Sequence, residues 1–181
     1  MKILILNGSP RLDGNTRTAL HEIEKGIRAN KSGAEVEFID VACRKLSPCI
    51  ACDGCKENGG SCVIPDESSA LVQKVFEADV VIFGTPVYWW GVSAQLKMLI
   101  DKFYSKDTVF KEQKKRIGLV IVGAAGPENK EYELIRGQFQ CICDYLGWNL
   151  LFTESISAWN VGDLAKNTQK MTELGDIWKK L

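Results

Sequence analysis

Apolar runs of strand length alternate along the chain with segments whose apolar residues recur at helical spacing. KILILN, Lys2 to Asn7, reads as a buried strand bounded by turn residues. From Thr16 onward Ala19, Leu20, Ile23 and Ile27 mark one face of a helix, and Gly33 marks its stop. EVEFID, Glu35 to Asp40, is a second strand. Leu71, Val72, Val75 and Phe76 define a helix leading into DVVIFGTP, whose nearly continuous apolarity suits a central parallel strand covered on both faces. Val92, Leu96, Leu99, Ile100 and Phe103 give the next helix. Ile117 to Gly126, IGLVIVGAAG, is a fourth strand with its loop, and Leu134, Ile135, Phe139, Ile142 and Leu146 mark a fourth helix. NLLFTESIS makes a weaker fifth strand, and a helix from Leu164 to Trp178 closes the chain. Strand and helix thus alternate five times. That order predicts an α/β three-layer sandwich, a doubly wound parallel sheet with right-handed crossovers. No repeat, low-complexity tract or linker interrupts it, so the expectation is a single domain over residues 1–181 with a cysteine-rich loop at 47–66.

Composition narrows the role without naming it. The 181 residues suffice for one substantial core. The 23 basic and 23 acidic side chains balance, which leaves no basic field for nucleic acid or an anionic membrane. No apolar run approaches the roughly eighteen residues of a membrane span. The opening apolar run is too short for an export signal. The expected compartment is the cytoplasm, where thiols stay reduced, and seven cysteines do not suit a closed disulfide framework.

In doubly wound sheets ligands bind beyond the carboxyl ends of the strands, and three loops occupy that edge. NGSPRLDGNTR, Asn7 to Arg17, joins the first strand to the first helix. Its backbone N–H groups, with Ser9, Asn15 and Thr16, can surround a phosphate monoester, and Arg11 or Arg17 can add a charge-assisted bond. The competing reading is an ordinary capped connection. The loop carries neither GxxxxGK[ST] nor GxGxxG, which disfavours a Walker site and a Rossmann pyrophosphate site. GTPVYWWG, Gly84 to Gly91, presents Val87, Tyr88, Trp89 and Trp90 as an aromatic wall that suits a flat heteroaromatic ring or a subunit interface. GAAGPEN, Gly123 to Asn129, offers small residues for close ligand approach.

GSPR-x-x-GNT after the first strand, with PVYW-x-G-x-S-A-Q-L-K after the third, resembles the NAD(P)H-dependent FMN reductase family of flavodoxin-like proteins, and the resemblance covers essentially the whole chain. It implies strand order 2-1-3-4-5 and FMN at the three loops. Ser9, Arg11, Asn15 and Thr16 would hold the phosphate; Pro86, Val87, Tyr88 and Trp89 would flank the isoalloxazine; Gly123, Ala124, Ala125 and Gly126 would form its outer rim. It further implies a homodimer or homotetramer that completes the flavin site.

Within that family, Cys49-x2-Cys52-x2-Cys55-x6-Cys62 resembles the compact motif of the iron–sulfur flavoproteins. A CxxCxxC run turns three thiolates toward one centre, and Gly54, Gly59 and Gly60 let the chain bring in a fourth, as a [4Fe–4S] cluster needs. Unliganded thiols, zinc and a working disulfide are the alternatives. Cys43, Cys141 and Cys143 read as structural, the last two pointing to different helix faces. His21, alone, reads as a partly exposed helical residue, Asp40 as a strand-end carboxylate, and Lys114 to Arg116 as a solvated turn, with an NADPH 2′-phosphate contact as the alternative. Trp159 and Trp178 read as packing or interface residues. No catalytic acid–base constellation stands out. The expected activity is FMN-dependent oxidoreduction: hydride from NAD(P)H, then electrons to a quinone, small oxidant or redox partner protein, with a cluster relaying single electrons. A flavodoxin-type carrier without catalysis of its own is the alternative, and a flavin-free thiol sensor a third.

Overall fold

The computed structural model describes residues 1–181. Strands β1 (Lys2–Asn7), β2 (Glu35–Asp40), β3 (Val80–Pro86), β4 (Arg116–Gly123) and β5 (Asn149–Ser157) form one parallel sheet in the order β2-β1-β3-β4-β5. The main helices are α1 (Asn15–Asn30), α2 (Ser68–Glu77), α3 (Ala94–Asp101), α4 (Lys130–Leu146) and α5 (Thr168–Gly175). The sheet order and the helices on both faces are those expected of a flavodoxin-like fold.

Alternation within the strands sorts the core into two layers. Leu4, Leu6, Val81, Phe83, Leu119 and Ile121 face α2, α3 and α4. Their neighbours Ile3, Ile5, Val80, Ile82, Val120 and Val122 face α1 and the C-terminal helices. Because successive side chains point to opposite faces, a strand buried on both must be apolar throughout, which explains VVIF in β3. Gly84 lets α1 close down on the sheet, since a Cβ there would stand 2.5 Å from Leu20 Cδ1.

Three expectations need correction. The closing helix is not continuous: it divides into Asp163–Lys166, α5 and a 3-10 turn Asp176–Lys180. Asn167 makes the break, because its side chain accepts a hydrogen bond from Lys170 N–H and caps α5. The basic run before β4 is solvated only in part, with Lys114 exposed and Lys115 not. Lys115 is buried, 3% exposed, and donates to the carbonyls of Phe76 at 2.8 Å and Ala78 at 2.6 Å. Of the three cysteines read as structural, Cys143 is buried while Cys43 and Cys141 are exposed.

Burial, opposed by the nearby Asp79 carboxylate, lowers the Lys115 ammonium from 10.5 to about 8. The folded protein therefore releases this proton at lower pH than the unfolded chain does, and stability contributed at this site rises as pH passes from about 8 to 10.5. Unfolding free energies of wild type and Lys115→Met across this range should diverge, with wild type gaining on the variant at the alkaline end. Parallel curves would contradict the assignment.

Candidate functional site: a phosphate-sized helix start beside an aromatic turn

The carboxyl ends of β1, β3, β4 and β5 open on one cleft of about 570 Å³, within the range of small-molecule sites. Its floor is the start of α1. Gly14 is the N-cap and has no side chain to satisfy the first turn, so the N–H groups of Asn15, Thr16 and Arg17 have no acceptor in the protein. Three free donors at the positive end of a 16-residue helix can receive an anion. Ser9 turns the approach to it: its hydroxyl accepts from Arg11 N–H at 3.1 Å, and its own N–H donates to Asn7 Oδ1.

The predicted phosphate ligands divide into two groups. Ser9, Arg11, Asn15 and Thr16 all line the cleft, but the Asn15 side chain is already engaged. Its Nδ2 donates to Asn160 O at 2.8 Å and its Oδ1 accepts from Leu164 N–H at 3.2 Å. Asn15 can thus offer an anion only its backbone. Arg17 is also diverted, its guanidinium held by Asp40 at 3.0 Å. Burial acts against ionisation of Asp40, yet the hydrogen bonds from Arg17 and Asn7 hold its carboxyl below the ordinary value. Arg11, exposed at the rim, is the uncommitted cation. Asp40 and the partly exposed His21, stacked on Phe38, take the structural roles the sequence suggested.

The second loop is held from behind. Ser93 is fully buried and caps α3 by accepting from Leu96 N–H, while its hydroxyl donates to Gly8 O at 2.6 Å. Such a cap is worth about 0.5–2 kcal/mol, and here it also ties the loop after β3 to the loop after β1. Ser93 N–H in turn donates to Thr85 Oγ1 at 3.0 Å. Between these anchors Tyr88 and Gly91 exchange backbone hydrogen bonds around Trp89 and Trp90, whose φ values are 49° and 57°. Left-handed backbone costs a residue with a Cβ about 1–2 kcal/mol. Two large residues are kept in this conformation at the rim of the cleft, with Trp89 91% exposed. Pro86, Val87 and Tyr88 line the cleft; Trp89 stands outside it.

Of the third loop, Ala124 lines the cleft, while Gly123, Ala125 and Gly126 do not. Tyr132 bonds to the carbonyls of Ala125 and Ile156 and anchors this loop to β5. Burial, then the charge of Glu131, pushes its phenol up to about 12. A fourth loop supplies a wall that the sequence reading did not assign: Ala158, Trp159, Asn160 and Val161, directly after β5. Its position at the carboxyl edge was the available signal. Trp159, read as a packing or interface residue rather than a cofactor contact, is 73% exposed and lines the cleft.

The four loop cysteines line a separate, mostly apolar pocket against the end of α3. All seven cysteines are free thiols. Positive φ at Ala51 and Asp53 curls the CxxCxxC segment, and no N–H of residues 49–55 donates to a protein acceptor. A curled loop with four thiols and spare N–H donors suits the thiolates and sulfides of an iron–sulfur cube. No three His, Cys, Asp or Glu side chains stand in an arrangement that by itself holds a metal ion. Cys143 lies elsewhere, its thiol pushed up to about 11 by burial and then by Asp144.

Residues 1–137 match the NADPH-dependent FMN reductase family. The chain belongs to this family. An iron–sulfur flavoprotein of Methanocaldococcus jannaschii is 44% identical over 125 residues, 69% of this chain, and the match spans 63% of that relative's length. YwqN of Bacillus subtilis, a candidate NAD(P)H-dependent FMN-containing oxidoreductase, is 26% identical over 99% of this chain and 98% of its own. The structure of the azoreductase AzrA superposes over the whole of both chains with a TM-score of 0.76 at 15% identity, a likeness of fold. No helix of this family member is long and apolar enough to cross a membrane.

Asn15→Ala should free the segment Asn160 to Leu164 and cost about 1–3 kcal/mol for the two lost bonds. Thermal denaturation and faster amide exchange at Leu164 are the readouts; unchanged exchange would mean that the segment is held by other contacts.

Proposed function

We propose that the chain is an FMN-dependent oxidoreductase that takes hydride from NAD(P)H and passes electrons to a quinone, a small oxidant or a protein acceptor. The observation that carries this reading is the row of unpartnered N–H groups at Asn15, Thr16 and Arg17, facing a cleft walled by Pro86, Val87 and Tyr88. Those residues match a ligand with a phosphate at one end and a flat ring at the other. Ser9, Thr16 and the backbone of Asn15 would receive the phosphate, with Arg11 closing over it. Ala124 and its neighbours Gly123, Ala125 and Gly126 would border the ring, and Trp159 would cover the side toward β5. Bound there, the flavin supplies hydride acceptance and exchange between two-electron and one-electron transfer. The protein orients the ring and excludes water, and no side chain need move a proton.

Cys49, Cys52, Cys55 and Cys62 would hold a [4Fe–4S] cluster, supported by the shared pocket, the curled backbone and the resemblance to iron–sulfur flavoproteins. A second copy of the chain, in a homodimer or homotetramer, would cover Trp89, Trp90 and Trp159, because exposed tryptophans favour an interface. Seven cysteines without a disulfide, and balanced charge, suit the reducing cytoplasm.

Anaerobically purified protein should oxidise NADH or NADPH with a quinone or ferricyanide well above the rate of free FMN, and should carry about four irons per chain. Turnover equal to that of free FMN would favour a carrier. Cys52→Ser should lose iron while keeping flavin; iron unchanged in that variant would refute the ligand assignment.

A further inference from the structure

Lys102 is a buried cation whose nearest side-chain partner is a cysteine. It follows the last residue of α3, and its side chain is 2% exposed. Its Nζ donates to Cys62 Sγ at 3.2 Å. Asp66 is the nearby carboxylate, but it stands 4.0 Å away and its oxygens already accept from Ser47 N–H at 2.7 Å and Ser68 N–H at 2.8 Å. An ammonium group taken out of water needs anionic or strongly accepting partners. A neutral thiol is a weak acceptor, so a sulfur that carries negative charge is the partner that fits. Lys102 is also the one cation lining the cysteine pocket. Of the pocket's acidic residues, Asp101 pairs with Lys97, and Asp53 acts on the Tyr104 phenol, whose pKa it raises.

We propose that Lys102 is the fixed counter-charge of the four-cysteine site, positioned by the end of α3 to hold Cys62 and to favour electron uptake by a cluster bound there. This rests on the cluster reading above. Four thiolates and a cube form an anionic assembly, and one-electron reduction adds one further negative charge with no bond broken and no proton required. A nearby positive charge stabilises the more negative state, and local charge with hydrogen bonds to sulfur is what sets cluster potentials. Lys102 therefore raises the potential, while Asp66, beside it, opposes that effect.

The test is a redox titration of the anaerobically reconstituted full chain, with dithionite as electron donor through mediator dyes, followed by electron paramagnetic resonance. Lys102→Met should lower the one-electron equilibrium constant by about tenfold or more, about 59 mV. Lys102→Arg should stay close to wild type. Asp66→Asn should shift the potential upward. A role limited to packing would alter stability in both variants without moving the potential in opposite directions. A Lys102→Met potential equal to wild type, or shifts of the same sign in both variants, would overturn the proposal. Should Lys102→Met fail to fold, Asp66→Asn decides: an upward shift supports the counter-charge and no shift overturns it. Wild type that takes up no iron or sulfide removes the cluster reading and this inference together, whereas iron-loaded wild type with an unmoved variant removes the counter-charge alone.

Discussion

Three backbone N–H groups left unpaired at the start of α1 set the terms for the rest of the molecule. A helix begins with donors that its own carbonyls cannot reach, and most helices satisfy some of them with a capping side chain. Here the cap is Gly14, which can offer none. The sheet order places β1 beside β3, at the switch where a doubly wound sheet opens a crevice, so the free donors face a cleft bounded by four loops. The polar residues around them mostly hold those loops in place. Asn15 pins the segment after β5, Arg17 is fixed to Asp40 at the end of β2, and Ser93 ties the loop after β3 to Gly8. The side chains of Asn15 and Arg17 are spent on the frame, and their backbone N–H groups are left free.

The same economy connects the cleft to the cysteine pocket. Helix α3 starts at the Ser93 cap, against the loop that precedes α1, and Lys102 follows its last residue, against Cys62. Eight helical residues span about 12 Å, a rigid strut whose two ends touch the two regions of chemical interest. Its apolar residues Leu96, Leu99 and Ile100 are buried in the larger core layer, so neither end can shift freely. The turn at Trp89 and Trp90 lies at the start of this strut, and its left-handed backbone is tolerated because Thr85 and Ser93 clamp both sides.

Much of this was legible in the sequence, and the physical reasons are specific. Parallel strands covered on both faces must be apolar throughout, so KILILN, VVIF and IGLVIV declared themselves, and alternation with helical spacing gave the layers. The loop after β1 stood out as a candidate anion site because residue types that cap helices and bind anions cluster in it. What escaped were decisions taken between distant segments. That Asn15 would turn to Asn160 and Leu164, about 145 residues away, is set by the closure of α1 on the chain after β5. The burial of Lys115 was hidden for a related reason: a basic run looks solvated until the carbonyls of Phe76 and Ala78 arrive to accept its protons. Lys102 carried no local signal, since its partner lies forty residues earlier.

The claim at the centre of this account is that the N–H row at the start of α1 grips a phosphate monoester. Comparing the affinity of the flavin-free protein for FMN with its affinity for riboflavin, which lacks only the phosphate, tests that claim most directly. With several charge-assisted bonds at stake, FMN should bind about a hundredfold tighter or more. Equal affinity for the two would contradict it.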